Sequence, residues 1–373
     1  MTKNSLHNAK RIIIKIGSLL LIDEQTGTLN QAWLDALAAD IALLKSQGKE
    51  VILVSSGAVA LGRPELKFTH PELSLAEKQA AAACGQITLA EAWQRALRAH
   101  NINVAQILIT AEDTEDRRRY LNARSTINTL VEHGVVPVMN ENDSITTSEI
   151  RYGDNDRLAA RIAAMASADA LILLSDIDGL YSADPKSDPN AVFIPYVEQL
   201  DDAIWKMAGE TRDHRSTGGM KTKLQAAEIA ISAGCHMLIA PGLGLHPLQA
   251  ILEGGNHTWF AALSDPMNAR KHWIANAVQI YGTLTIDAGA ERALRRGNSL
   301  LPSGVTDVQG DFARGDSVRI INQSADEIAT GLAAYPKTAA MLIAGKQSDE
   351  IHEILGFKGR DELVHRDDMV ITT

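Results

Sequence analysis

Between Arg11 and residue 262, short apolar runs alternate with longer stretches rich in Ala and Leu. The strand candidates are Arg11–Ile16, Ala170–Ser175 and residues 51–55, 103–109, 135–139 and 236–240. The helical candidates are residues 31–47, 75–100, 117–133 and 157–167. The strand runs are apolar throughout instead of alternating, so both of their faces must be covered. Strands of this kind separated by helices form βαβ units. The expected architecture is an α/β three-layer sandwich around a mainly parallel open sheet. Aromatic residues make up only 4% of the chain, so aliphatic packing has to fill its core.

In open α/β sheets, ligands sit at the carboxyl ends of the strands. The unusual residues of this chain collect there. The first strand ends in Lys15-Ile16-Gly17-Ser18 and the second in Ser55-Ser56-Gly57-Ala58. Later ones end in Asn140-Glu141-Asn142-Asp143 and Ser175-Asp176-Ile177-Asp178-Gly179. A second polar cluster, Gly153-Asp154-Asn155-Asp156, precedes a helical run. Lys15 followed by Gly17 and Ser18 suits a phosphate, because glycine lets backbone N–H groups approach an anion closely. Ser55 and Ser56 read equally as helix caps and as a carboxylate site. Asp154 or Asp156 could pair with Lys15 or Lys223.

The segment Thr217-Gly218-Gly219-Met220-Lys221-Thr222-Lys223 enters a strongly helical run. It presents N–H groups, a helix dipole and two lysines to an anion. It also reads as a plain turn before a surface helix. It is not a P-loop, which needs four residues between its first Gly and its Gly-Lys pair. No such string occurs in the chain. The histidines show no zinc spacing.

After residue 263 the pattern changes. Residues 264–275 read as a polar helical connector. Short alternating runs then follow at Gly282–Ile286, 304–309, Ser317–Ile321 and 328–332, as expected for a small β-rich domain. The expected division is an α/β domain 1–263, a connector 264–280, a β-rich domain 281–360 and a tail 361–373. The formal charge of −10 argues against a general affinity for nucleic acid or anionic membranes. No apolar run reaches the roughly 20 residues of a membrane span, and no leader-like apolar segment follows Met1. Cys84 and Cys235 lie far apart and read as buried free thiols. The expectation is a cytoplasmic protein.

Lys15-x-Gly-Ser, Ser-Ser-Gly-Ala, Ser175-Asp176 with Gly-Leu-Tyr-Ser-Ala-Asp-Pro, and Thr-Gly-Gly-Met-x-Thr-Lys together resemble the amino-acid kinase superfamily. Asp116-Arg117-Arg118-Arg119-Tyr120-Leu121-Asn122-Ala123-Arg124, Asn-Glu-Asn-Asp, Gly-Asp-Asn-Asp and His365-Arg366-Asp367-Asp368-Met369 narrow the resemblance to its glutamate 5-kinase branch. The β-rich region resembles a PUA domain. The resemblance implies an amino-acid kinase-like sandwich with a small barrel-like domain. It implies ATP-dependent phosphorylation of the γ-carboxylate of L-glutamate, the first step of proline biosynthesis, with ATP and Mg²⁺ as cofactors and Mg²⁺ held mainly by ATP.

Carried over motif by motif, Lys15, Lys223 and Asp156 are the catalytic residues. Ser55, Asp143 and Asn155 bind glutamate. Lys15, Gly17, Ser18, Ser175, Asp176, Thr217, Gly218, Gly219, Met220, Lys221, Thr222 and Lys223 bind ATP. Ser175 stands where the family often has Thr, and Lys221 where it often has a small polar residue. The resemblance further implies inhibition by proline, a homo-oligomer (dimer or tetramer) and coupling to glutamyl phosphate reductase. Two alternatives remain open on sequence: another amino-acid kinase, and an RNA-binding protein acting through its PUA-like region.

Such a reaction needs no general base. A free glutamate side chain, with a pKa of about 4.3, is already ionised at neutral pH. The obstacle is two anions approaching one another, so catalysis must come from positioning and charge neutralisation.

Overall fold

The computed structural model describes residues 6–23, 27–146, 155–208, 219–266, 269, 280–357 and 359–372. These fall into two compact units that divide between Pro266 and Met267.

In the first unit the strands are β1 (Arg11–Ile16), β2 (Glu50–Ser55), β3 (Val104–Ile109), β4 (Val136–Glu141), β5 (Ala170–Ser175), β6 (Leu180–Tyr181), β7 (Phe193–Ile194), β8 (Tyr196–Val197), β9 (His236–Pro241) and β10 (Thr258–Phe260). The helices are α1 (Ser18–Leu21), α2 (Gln31–Ser46), α3 (Ala58–Glu65), α4 (Leu75–Arg98), α5 (Ala111–Glu115), α6 (Arg117–Glu132), α7 (Asn155–Ala166), α8 (Asp202–Met207), α9 (Met220–Ser232) and α10 (Pro247–Leu252). Local chemistry sets several boundaries. A capping box between Ser74 and Glu77 opens the long α4, and the Asp116 carboxylate accepts from the Arg119 N–H at the start of α6. Each satisfies N–H groups that a helix end leaves without partners.

Eight strands form one sheet in the order β3-β4-β2-β1-β5-β9-β10-β8. It is parallel except where β10 runs against β9; β10 is a short strand between β9 and the edge strand β8, and the sequence pattern does not announce it. Because β2 lies on one side of β1 and β5 on the other, the strand order reverses at β1. A crevice opens at such a point outside the carboxyl ends.

Successive strand residues point to opposite faces. Ile12, Ile14 and Ile16 join a core with Trp33, Leu37 and Trp93 from α2 and α4. Ile13 joins the opposite core with Leu158 and Ile162 from α7 and Leu224 from α9. Lys15 therefore belongs to the face covered by α7 and α9. The same alternation in β2 puts Val51 and Leu53 on the α4 side and Ile52 and Val54 on the α7 side.

Helices α3 and α4 cross at two glycines. A Cβ on Gly62 would overlap the Ala81 carbonyl oxygen, and one on Gly85 would overlap the Ala58 carbonyl oxygen. Overpacking of this kind costs about 1–3 kcal/mol. Gly85→Val is expected to lower stability by about that amount in urea unfolding. It should also raise the substrate KM, because α3 begins immediately after Ser56-Gly57. Unchanged values of both would show that the crossing tolerates a side chain.

The second unit has β11 (Gly282–Ile286), β12 (Val305–Gly310), β13 (Ser317–Ile321), β14 (Glu327–Leu332) and β15 (Met369–Ile371) in one sheet, ordered β12-β11-β13-β14-β15. Leu284, Ile286, Val318, Ile320 and Ile328 fill its core. Residues 369–371, set apart as part of a tail on sequence, pair with β14. Most of the expected connector lies outside the described residues. Cys235 is buried, whereas Cys84 is only half-buried; neither is in a disulfide.

Candidate active site

Helix α7 starts where β1, β2 and β4 end, and its first two residues organise the site. Asp156 is fully buried. Its Oδ1 lies 2.5 Å from Lys15 Nζ and its Oδ2 accepts from Lys223 Nζ at 3.0 Å. Lys15 comes from β1 by the alternation described above. Lys223 comes from the first turn of α9, and both lysines are almost wholly buried. Burial alone would push the Asp156 carboxyl up. The two ammonium groups and their hydrogen bonds outweigh it, and the net displacement is downward. One carboxylate against two ammoniums leaves this cluster with one positive charge. It can hold a phosphoryl group in place and neutralise charge as it develops there.

Asn155, adjacent in sequence, faces β2 and β4. Its Nδ2 donates to Ser56 Oγ at 2.6 Å and to Asn140 Oδ1 at 2.9 Å. Asn140 Nδ2 donates in turn to Gln86 Oε1 of α4 at 3.0 Å. A row of polar side chains thus runs from α4 across the strand ends to α7, beside the lysine cluster.

Ser55, expected to bind glutamate, lies on the core side of β2. Ser55 is fully buried and its Oγ accepts from Trp93 Nε1 at 2.9 Å. It follows Val51 and Leu53 onto the α4 face, and the hydroxyl beside Asn155 belongs to Ser56. Period-two alternation along β2 was the signal that separates the two serines. Gly57, at φ 115°, turns the chain from Ser56 into α3, a backbone region that favours glycine.

Gly17 precedes α1, and Ser18 is its first residue. Ser175 is buried at the end of β5 and donates to Asp176 Oδ1 at 3.0 Å, with Asp176 exposed. Gly219 caps α9 and Met220 begins it. Thr222 Oγ1 donates to the Gly219 carbonyl at 2.7 Å, so that hydroxyl serves the helix end. Lys221 is exposed and stands apart from the buried Lys223. Asp143 is half-buried in the turn after β4. Thr217, Gly218 and Asp154 lie outside the described residues. Among the described residues, no group of three or more His, Cys, Asp and Glu is arranged to hold a metal, and no helix is long and apolar enough to cross a membrane.

An open, mostly parallel sheet whose reversal point carries two lysines bridged by a carboxylate is suited to phosphoryl transfer without a P-loop. The model of the amino acid kinase family matches residues 10–241, and that of the PUA domain matches residues 282–355. The chain belongs to the amino acid kinase family and carries a C-terminal PUA domain. Its curated relatives include Glutamate 5-kinase of Paramagnetospirillum magneticum, 57% identical over 97% of this chain and 98% of that protein. Glutamate 5-kinase of Rhodopseudomonas palustris strain BisB5 is 56% identical over 100% of this chain and 99% of that protein. Among solved structures, carbamate kinase from Giardia lamblia bound to AMP-PNP aligns over 69% of this chain and 99% of that one, with 18% identity and a TM-score of 0.48.

Proposed function

We propose that this chain transfers the γ-phosphoryl group of ATP to the γ-carboxylate of L-glutamate, giving L-glutamyl 5-phosphate as the first step from glutamate towards proline. The observation that carries the proposal is the contiguity of two unlike sites on α7. Asp156 holds two lysines for the phosphoryl group, while Asn155 and Ser56 present polar groups for an amino acid. The names of the full-length relatives support the choice of acceptor.

In this reading Lys15 and Lys223 draw charge from the phosphoryl oxygens, and Asp156 positions both. Asn155, Asp143 and Ser56 bind the α-amino and α-carboxylate groups of glutamate, and Ser55 supports the strand end from the core side. The N-terminus of α9, with Gly219, Met220 and residues 217–218 before it, receives phosphate oxygens. Gly17, Ser18, Ser175 and Asp176 border the nucleotide, and Lys221 adds charge at its rim. Mg²⁺ bound together with ATP would supply neutralisation of phosphate charge, and as a hard cation it would need few protein ligands. Proline shares the α-carboxylate and amine of glutamate, so it competes for the Asn155 end of the site. The reading includes a homo-oligomer and functional coupling to glutamyl phosphate reductase, which would consume the labile acyl phosphate.

The test is hydroxylamine trapping of the acyl phosphate with ATP, Mg²⁺ and a panel of glutamate, aspartate, N-acetylglutamate and UMP, with and without proline. Glutamate-dependent product is expected, and its absence with turnover of another acceptor would overturn the assignment. Steady-state kinetics should also separate the serines. Ser56→Ala should raise the glutamate KM by about tenfold, the loss of one good hydrogen bond. Ser55→Ala should leave KM near wild type and instead cost about 1–3 kcal/mol of stability, by stranding the Trp93 N–H.

A further inference from the structure

Amide side chains can present either a carbonyl oxygen or an NH₂ group, and their neighbours decide which. Both hydrogens of Asn155 Nδ2 are taken, one by Ser56 Oγ and one by Asn140 Oδ1. Asn155 Oδ1 is therefore the atom left to meet a ligand, and it can only accept. Ser56 Oγ receives one hydrogen bond and keeps its own proton to donate. The pair offers one acceptor and one donor, which suits an ammonium and a carboxylate on one carbon. Turning the Asn155 amide over would put its Oδ1 against Asn140 and its NH₂ towards the ammonium, which cannot accept a hydrogen bond.

What keeps Asn155 from turning is Asn140, and what holds Asn140 is Gln86. Asn140 is 3% exposed and Gln86 8% exposed, so bulk water is a poor substitute for either partner. Gln86 sits on α4 beside Gly85, where the helix crosses α3 most closely. We infer that Gln86 is a positioning residue for the acceptor amino acid: through Asn140 it fixes the polarity of Asn155 and Ser56, and thereby the glutamate KM. Gln86 touches no reacting atom, and Lys15, Asp156 and Lys223 do not depend on it. The inference rests on the glutamate reading proposed above.

The test compares Gln86→Met, which keeps the length and removes the acceptor, with Gln86→Glu, whose carboxylate oxygens accept from Asn140. Glutamate KM, ATP KM and kcat are measured by the hydroxylamine assay, with urea unfolding of each variant alongside. For Gln86→Met, the glutamate KM is expected to rise about tenfold, the effect of one buried hydrogen bond. Its kcat and ATP KM should stay within about twofold, far below the tenfold that one lost bond is worth. Gln86→Glu should return the glutamate KM to within about threefold of wild type, less than the effect of that bond. A wild-type glutamate KM in Gln86→Met overturns the inference alone. So does an equal rise in both variants, which would indicate packing instead of polarity. A parallel fall in kcat at unchanged KM also overturns it. No glutamate turnover by the wild-type protein would remove the functional reading and this inference with it.

Discussion

Lys223→Ala is expected to lower kcat by about a thousandfold while moving the glutamate KM by less than about threefold. Removing one preorganised donor from a site of developing charge costs about 10²–10³ in kcat, and Lys223 carries a full charge in a nearly water-free position. Its ammonium is held 3.0 Å from Asp156 Oδ2 before any substrate arrives, so the enzyme needs little rearrangement at the moment of transfer. In the proposed reading glutamate is bound by Asn155 and Ser56, whose mutual hydrogen bond does not involve Lys223 and survives the substitution. A fall in kcat and kcat/KM together identifies an interaction made only in the transition state. A rise in glutamate KM at unchanged kcat would instead make Lys223 a binding residue and would sink the role assigned to it. Lys221, two residues away and exposed, serves as the control. Lys221→Ala should leave kcat within about threefold, as a solvated charge is screened over a Debye length of about 8–10 Å.

How much of this was legible in the sequence depends on the kind of signal. The sheet could be read because short β-branched runs such as Ile12–Ile14 recur between longer helical stretches, as strands covered on both faces do. Lys15 stood out as a charge at the end of such a run. The polar cluster 153–156 showed that carboxylates gather near the strand ends, but spacing left Asp154 and Asp156 equivalent, and the resemblance alone singled out Asp156. Only the start of α7 places the Asp156 carboxylate between two lysines that are 208 positions apart in sequence. Ser55 and Ser56 were separable in principle by counting alternate residues from Val51. Gln86 and Trp93 carried no signal, because each is a helical residue whose importance lies in a partner from a distant strand. The short β10 also escaped, since three residues are too few to establish a period.

Asp156→Asn should damage folding and catalysis together, and the two effects share one cause. The substitution keeps the side-chain shape but leaves two buried ammoniums facing each other without a counter-charge. Breaking a buried ion pair from one side costs about 3–5 kcal/mol, a large share of the roughly 5–15 kcal/mol that stabilises a typical domain. Catalysis should fall by about a hundredfold or more, because lysines pushed apart by even about 1 Å lose alignment worth that factor. The charge of the cluster rises from one positive to two. Sulfate, which can bind the folded cluster, should therefore raise the midpoint of unfolding more in the variant than in wild type.

The pH dependence gives an independent check. The folded Asp156 carboxyl titrates below its ordinary range, so on acidification the unfolded chain takes up the proton first. Stability from this group is complete above the ordinary aspartate value of about 3.9. It is lost as pH falls from there through the lowered folded value. Wild-type protein should thus lose this contribution in the acid limb of a urea-unfolding series, whereas Asp156→Asn should lack that part of the slope. A variant with wild-type stability, an unaltered acid limb and kcat within about threefold, well short of the hundredfold expected from misalignment, would remove Asp156 from the centre of the site.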